Sequence, residues 1–544
     1  MKKLTCVFIT YFSALIFHGN LIHAQNPTIK VWDYRYGGLD AEYLSCFMQT
    51  TDGGYMLGGF TPSDSGGDKT QSNWGGSNDF WIVKTDPQGI MRWNKDFGGS
   101  GLDALFDVKQ TRDGGYIIGG YSDSGISGNK TQATQGSLDY WIIKLDSLGN
   151  QQWDKDFGGT GNDLLFSLQQ TTDNGYILGG FSNSGIGGDK TQNVWGINDY
   201  WIVKTDSLGN FEWDADFGGT GDEWFSVIRQ VADGGYIIGG YSDSGISGDK
   251  TEDTKGFRDY WIVKIDSSGN KLWDKDFGGT FLDMLVDIRQ TTDGGYILGG
   301  NSYSDAGGDK TEPLVGGNGD QDYWIVKTDS LGIKQWDRDF GGTGVEDEFN
   351  NLTLTSDGGY LIGCTSYSPA SGTKTENNFG QEQAWIIKVD SLGNPQWDKT
   401  IFTNEHDESG FALQASDGCY VIANATMAGV AGYKTQPAWN GLHDYWIVKF
   451  CDSTIDLNTA EPTRQLEQAL VYPNPAGDKI NIQQLEVQSG TAVEISVYNI
   501  IGDLVYRDVD SGPLTVDCRL FPPGMYWIEI KSAEKIYRSR FIRG

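Results

Sequence analysis

The chain has 544 residues, 13% of them aromatic and 21% charged, with 77 glycines and a formal net charge of −32. That apolar and aromatic content excludes disorder, and so large an acidic excess excludes nucleic acid and anionic membrane surfaces as partners. Abundant glycine beside abundant aromatics suits short strands on tight turns, because aromatic rings fit a pleated surface and glycine supplies positive φ.

Residues 1–24 read as a signal peptide. Lys2 and Lys3 form the positive region, Leu4 to Phe17 the apolar stretch, and Ile22-His23-Ala24 a cleavage site. Cys6 lies at the start of the apolar stretch and not after it, which argues against a lipoprotein anchor. No later segment is apolar enough to span a bilayer, so no transmembrane segment is expected. Losing Lys2 and Lys3 takes the charge from −32 to −34. From Gln465 onward there are ten acids and eight bases, so the imbalance sits before that point. Five cysteines remain after residue 24: Cys46, Cys364, Cys419, Cys451 and Cys518. They are too few to staple a chain this long, and no Cys/His spacing resembles a metal site.

From residue 25 to 452 three landmarks recur. A Trp in an Asp-Tyr-Trp-Ile-Val-Lys type stretch falls at 81, 141, 201, 261, 324, 385 and 446. A Gly-Gly-Tyr type turn ends at Tyr55, Tyr116, Tyr176, Tyr236, Tyr296, Tyr360 and Tyr420. A Trp before Phe-Gly-Gly falls at 93, 153, 213, 273 and 336, with Trp32 before Tyr-Gly-Gly and Trp397 matching without the glycines. A sustained period of about 60 residues means a solenoid, propeller or array. Each period predicts four strands, for example 163–170, 176–180, 200–205 and 211–217, here called A to D. Such spacing without helical periodicity favours antiparallel four-stranded blades. The first landmark, Trp32, is a D strand with no A to C before it, and the last, Trp446, is a C strand with no D after it. The N-terminal strand is therefore expected to complete the last blade and close seven blades into an all-β propeller. Cys419 then starts one strand of that blade and Cys451 ends its neighbour. They either form a disulfide or pack as two small thiols.

The recurring Asp-Gly-Gly-Tyr-Ile-Leu-Gly-Gly and Asp-Tyr-Trp-Ile-Val-Lys-Thr-Asp-Ser-Leu-Gly-Asn segments resemble bacterial β-propeller repeats of about 60 residues found in secreted proteins. The tail carries Val471-Tyr472-Pro473-Asn474-Pro475-Ala476, then Val493 to Tyr498 with Asn499 and Gly502, then Leu520 to Ile528. In that order it is similar to the C-terminal sorting domain (type A) of type IX secretion cargo in Bacteroidetes-type bacteria. The resemblance implies a small β-sandwich over 466–544, recognition by the type IX secretion machinery, and a secreted or outer-membrane cell-surface location. Residues 453–465 read as the linker.

The A–B and C–D turns are short and stereotyped, whereas B–C loops run to about 18 residues, so ligand contacts are expected on the B–C/D–A face. A Lys-Thr pair recurs in all seven B–C loops and reads as loop architecture. An acid opens strand A in each blade: Asp40, Asp103, Asp163, Glu223, Asp283, Asp347 and Asp407. These either line the channel as a carboxylate ring that would attract Ca²⁺, or hydrogen-bond turn amides. Symmetry breaks at Trp74, Trp195, Trp224, Phe379 and Trp439, and at His406, which has Glu405, Asp407, Glu408 and His443 nearby in its blade. Exposed rings beside carboxylates suit sugar recognition by stacking and hydrogen bonding, unless the rings pin their own loops. The expectation is a binding protein for glycan or protein ligands. The alternatives are a polysaccharide-acting glycosidase or lyase using the carboxylates near His406, or a purely structural surface protein.

Overall fold

The seven residues Asp139–Leu145 show how the repeat becomes a blade: all seven are buried. A strand buried on both faces must lie between two stacked sheets. Because successive side chains point to opposite faces, Tyr140 meets Trp201 of the next blade at 4.7 Å, while Trp141 meets Phe80 of the preceding blade at 4.9 Å. The Tyr140 hydroxyl also donates to the Trp201 carbonyl at 2.8 Å. Each Tyr-Trp dipeptide thus glues its strand to both neighbours, at about 0.5–1.5 kcal/mol per ring pair beyond area burial.

The computed structural model describes residues 29–452 apart from 317–319 and 347. In the tail it describes 465–468, 470–472, 477–483, 493–499, 504–510, 514–519, 521–531 and 535–543. The expected signal peptide, the linker up to residue 464, and Pro473 to Ala476 and Gly502 of the sorting motif lie outside the described residues. The chain divides into two compact units, 1–453 and 454–544.

The first unit is a seven-bladed propeller of four-stranded antiparallel sheets, each ordered A-B-C-D. Strand A is Tyr43–Gln49, Asp103–Gln110, Asp163–Gln170, Glu223–Gln230, Asp283–Gln290, Phe349–Leu354 and Asp407–Gln414 in blades 1 to 7. These seven strands neighbour one another around the axis and are innermost. Strands B and C run Tyr55–Thr61 and Asp79–Thr85 in blade 1 and Tyr176–Ser182 and Asp199–Thr205 in blade 3. The last blade borrows its D strand from the other end of the chain. Ile29–Tyr36 pairs antiparallel with Asp444–Cys451, placing Ile29 opposite Cys451 and Tyr36 opposite Tyr445. Tyr445 then meets Trp81 of blade 1 at 4.8 Å, closing the ring. Cys419 and Cys451 are joined in a disulfide with Cα atoms 4.4 Å apart.

The Lys-Thr pairs anchor the long loops to strand D. Thr131 donates through N and Oγ1 to Asp154 at 2.9 and 2.7 Å, the Trp141 indole donates to the same carboxylate at 3.1 Å, and buried Lys130 pairs with Asp156. At the closure, Asp33 takes the same three donors, from Thr435 and Trp446.

In the second unit, a five-stranded sheet and a three-stranded sheet enclose one core built from Ile480, Val493, Ile495, Val497, Ile528, Ile530 and Phe541 among others. Among the described residues no helix is long and apolar enough to cross a membrane.

Candidate functional site

The acids that open strand A are buried and turned into their own blades. Asp103 accepts from Gly99 N at 2.8 Å and Ser124 Oγ at 2.9 Å. Asp163, Glu223 and Asp283 repeat this with Gly159, Gly219 and Gly279 and with Ser184, Ser244 and Ser304. Asp407 accepts from Thr403 Oγ1 at 2.9 Å. The place belongs to the residue five after the first glycine of the Phe-Gly-Gly turn. In blade 1 that is Glu42, which is buried and accepts from Thr61 and Ser63, whereas Asp40 is exposed. In blade 6 it is Glu346, which accepts from Gly342 N at 2.9 Å. Asp347 lies outside the described residues. The spacing from the glycines was the signal that assigns both positions.

Four of the symmetry-breaking aromatics occupy one equivalent loop position in different blades. The backbone N–H of Trp74, Trp195, Phe379 and Trp439 donates to the first residue of strand C, namely Asp79, Asp199, Gln383 and Asp444. Their rings reach the next blade. The Trp195 indole donates to Asp249 at 3.1 Å and lies over Gly248, where a Cβ would sit 3.0 Å from Trp195 Cγ. The Trp439 indole donates to Asp68 at 3.2 Å beneath the Arg35 guanidinium, and Phe379 packs on Phe402 at 4.5 Å. These rings are spread one per seam around the rim, and they stay partly exposed.

Trp224 is placed differently. It is the second residue of strand A in blade 4 and stacks on Tyr241 at an interplanar angle of 7°, with Arg258 over both rings. It ends a chain of aromatics along the inner strands. Tyr43, Phe60, Phe106, Phe166, Phe181 and Trp224 follow one another at centroid distances of 4.8–6.1 Å, with Tyr121 beside Phe106. This arc spans blades 1 to 4 at the channel mouth. In blades 5 to 7 the register positions of Trp224 and Tyr241 hold Met284 and Asn301, Glu348 and Thr365, and Glu408 and Ala425. One side of the mouth is aromatic and the other is polar. Further down strand A, Arg229 and Arg289 both pair with Asp287, at 3.2 and 2.8 Å, and Lys109 with Asp107, lining the floor with fixed charge.

On the polar side, His406 Nε2 lies 3.0 Å from Glu408 Oε1, and His443 Nδ1 lies 3.4 Å from Glu408 Oε2. Glu382, from blade 6, is buried with Oε2 3.5 Å from His406 Nε2. The Tyr367 hydroxyl is 3.5 Å from His406 Nδ1. Burial lowers the His443 pKa, with Glu408 pulling the other way. Asp407 faces into its blade and Glu405 is exposed, so the carboxylate that joins His406 is Glu408. Glu382 comes from another blade, and adjacency in sequence gave no sign of it.

Residues 470–543 match the family model of the secretion system C-terminal sorting domain. The chain is a β-propeller with a type IX secretion sorting tail. Such a tail implies delivery to the cell surface or beyond. No curated protein sequence matches the chain. Among solved structures, BBS1N in complex with ARL6DN shares 8% identity at TM-score 0.39, covering 78% of this chain and 97% of that one. A Synechocystis apocarotenoid oxygenase mutant shares 11% identity at TM-score 0.37, covering 72% and 88%. Puromycin hydrolase shares 10% at TM-score 0.33, covering 72% and 62%. At these scores none of the three bears on function.

Proposed function

We propose that this sorting-tail propeller is a binding protein that holds a glycan at the channel mouth of the B–C/D–A face. The observation that supports the reading is the aromatic arc from Tyr43 to Trp224 on one side of a mouth whose other side carries Glu348, Glu408 and His406. Sugar rings present apolar faces that stack on aromatics and hydroxyl edges that bond carboxylates.

Glycan-array screening of the mature chain, followed by calorimetry on the best hit, tests this. Trp224→Ala and Phe106→Ala each lower affinity by about tenfold, the scale of a lost stacking contact, while Trp195→Ala at the rim leaves it unchanged. Absence of any glycan hit, or equal affinity for Trp224→Ala, overturns the reading.

A further inference from the structure

Of the four histidines in the chain, two lie in residues 1–24. The other two, His406 and His443, are 37 positions apart in sequence, yet their rings lie 5.8 Å apart, stacked at 25° beside one carboxylate. The fold does this by register. His406 precedes strand A of blade 7, Glu408 is the second residue of that strand, and His443 precedes strand C. The same three places hold Leu102, Ala104 and Leu138 in blade 2, and Asn162, Leu164 and Asn198 in blade 3. Neither set carries a ligating imidazole, so the cluster is a substitution on the repeat and not part of its scaffold.

We propose that His406, His443 and Glu408 bind one divalent transition-metal ion of the zinc class at the channel mouth. One ligand atom from each lies within 4.8 Å of the others. Donors about 2.0–2.2 Å from a tetrahedral zinc are roughly 3.3 Å from each other, and the two Glu–His separations, 3.0 and 3.4 Å, bracket that value. Two imidazoles and one carboxylate select zinc-class ions over Ca²⁺ or Mg²⁺, which take all-oxygen sets. His443 is 9% exposed and presents Nδ1 to Glu408, so Nδ1 is its ligating atom. Tyr367 at Nδ1 of His406 orients that ring so that Nε2 faces Glu408, the outer support typical of metal-binding histidines. Three protein ligands leave a fourth tetrahedral position for a ligand oxygen or water.

The test uses the mature full-length chain, purified without a polyhistidine tag, stripped with chelator and titrated calorimetrically with zinc chloride. The expected result is one zinc per chain, a higher melting temperature with zinc, and no competition from calcium in hundredfold excess. His406→Gln, on the half-buried side of the cluster, keeps the metal-free melting temperature and weakens zinc binding at least tenfold. Glu408→Gln does the same, and His406→Gln with His443→Gln abolishes binding. Absence of zinc binding by the parent chain overturns the proposal. Undiminished binding by His406→Gln and Glu408→Gln overturns it too, since the metal would then sit elsewhere.

Discussion

In each of blades 1 to 5 a buried aspartate that opens strand C faces a second buried aspartate on strand D, which pairs with the lysine of the B–C loop. In blade 4, Asp259 opens strand C and faces Asp276, which pairs with Lys250. Burial, and then the facing Asp276, pushes Asp259 up to about 8. Burial and a facing aspartate likewise push Asp156 to about 8, and Asp79, Asp216 and Asp339 to about 9. A proton held between the two carboxyls turns one acid into the donor its neighbour needs. The other two blades lack the facing pair of carboxyls. Gln383 and Thr400 stand in blade 6, while Arg35 stands 3.5 Å from Asp444 in blade 7. A carboxyl held more tightly protonated in the folded state than at its ordinary value near 3.8 stabilises fully below about pH 4, and loses that contribution as pH climbs through its folded value. Melting temperature is therefore expected to fall steadily from pH 5 to 9. Asp259→Asn, which carries its own donor, removes about 1.4 kcal/mol per pH unit from the slope in that window. A flat profile between pH 5 and 8 in the parent chain would refute the shared protons.

Among the elements, the N-terminal strand decides whether there is a ring. Its Asp33 accepts three buried donors that the other blades satisfy within one repeat, such as Asp154 in blade 2. Leaving buried donors unsatisfied costs about 1–3 kcal/mol each. Asp33→Ala should thus lower unfolding free energy in urea by roughly 3 kcal/mol or more. Breaking the Cys419–Cys451 disulfide, within the same blade, should cost about 2–4 kcal/mol. If both changes leave the urea midpoint in place, closure contributes nothing to stability. This closure was legible in the sequence, because an unpaired D strand at one end and an unpaired C strand at the other are complementary. The seam role of Trp195 and Trp439 was not, because their partners Asp249 and Asp68 lie in the loop of a different blade.

For the whole molecule, the tail and the propeller carry separate instructions. Deleting residues 466–544 is expected to trap the protein in the periplasm with its propeller folded, as fractionation and limited proteolysis would report. Surface display without the tail would refute the sorting role. The seven-fold period, the four-stranded blade and the two ends that meet are properties of local pattern: alternating apolar residues, turn glycines and a repeated Tyr-Trp pair fix them without knowledge of any neighbour. The mouth is another matter. Phe60 and Phe106 lie on strands of different blades, and nothing in their spacing brings them together. Trp224 and His406 drew attention only because they broke the repeat. Phe106, Phe166 and Glu382 did not, because a hydrophobe on an inner strand reads as core and an acid beside strand C as a cap. Stacking the blades face to face around an axis converts those positions from separate columns of the repeat into one surface. The sequence by itself determined a secreted seven-bladed ring with a sorting tail. Only the tertiary structure decided that one half of its mouth is aromatic and the other carries two histidines on one carboxylate, because those contacts run between blades and strands.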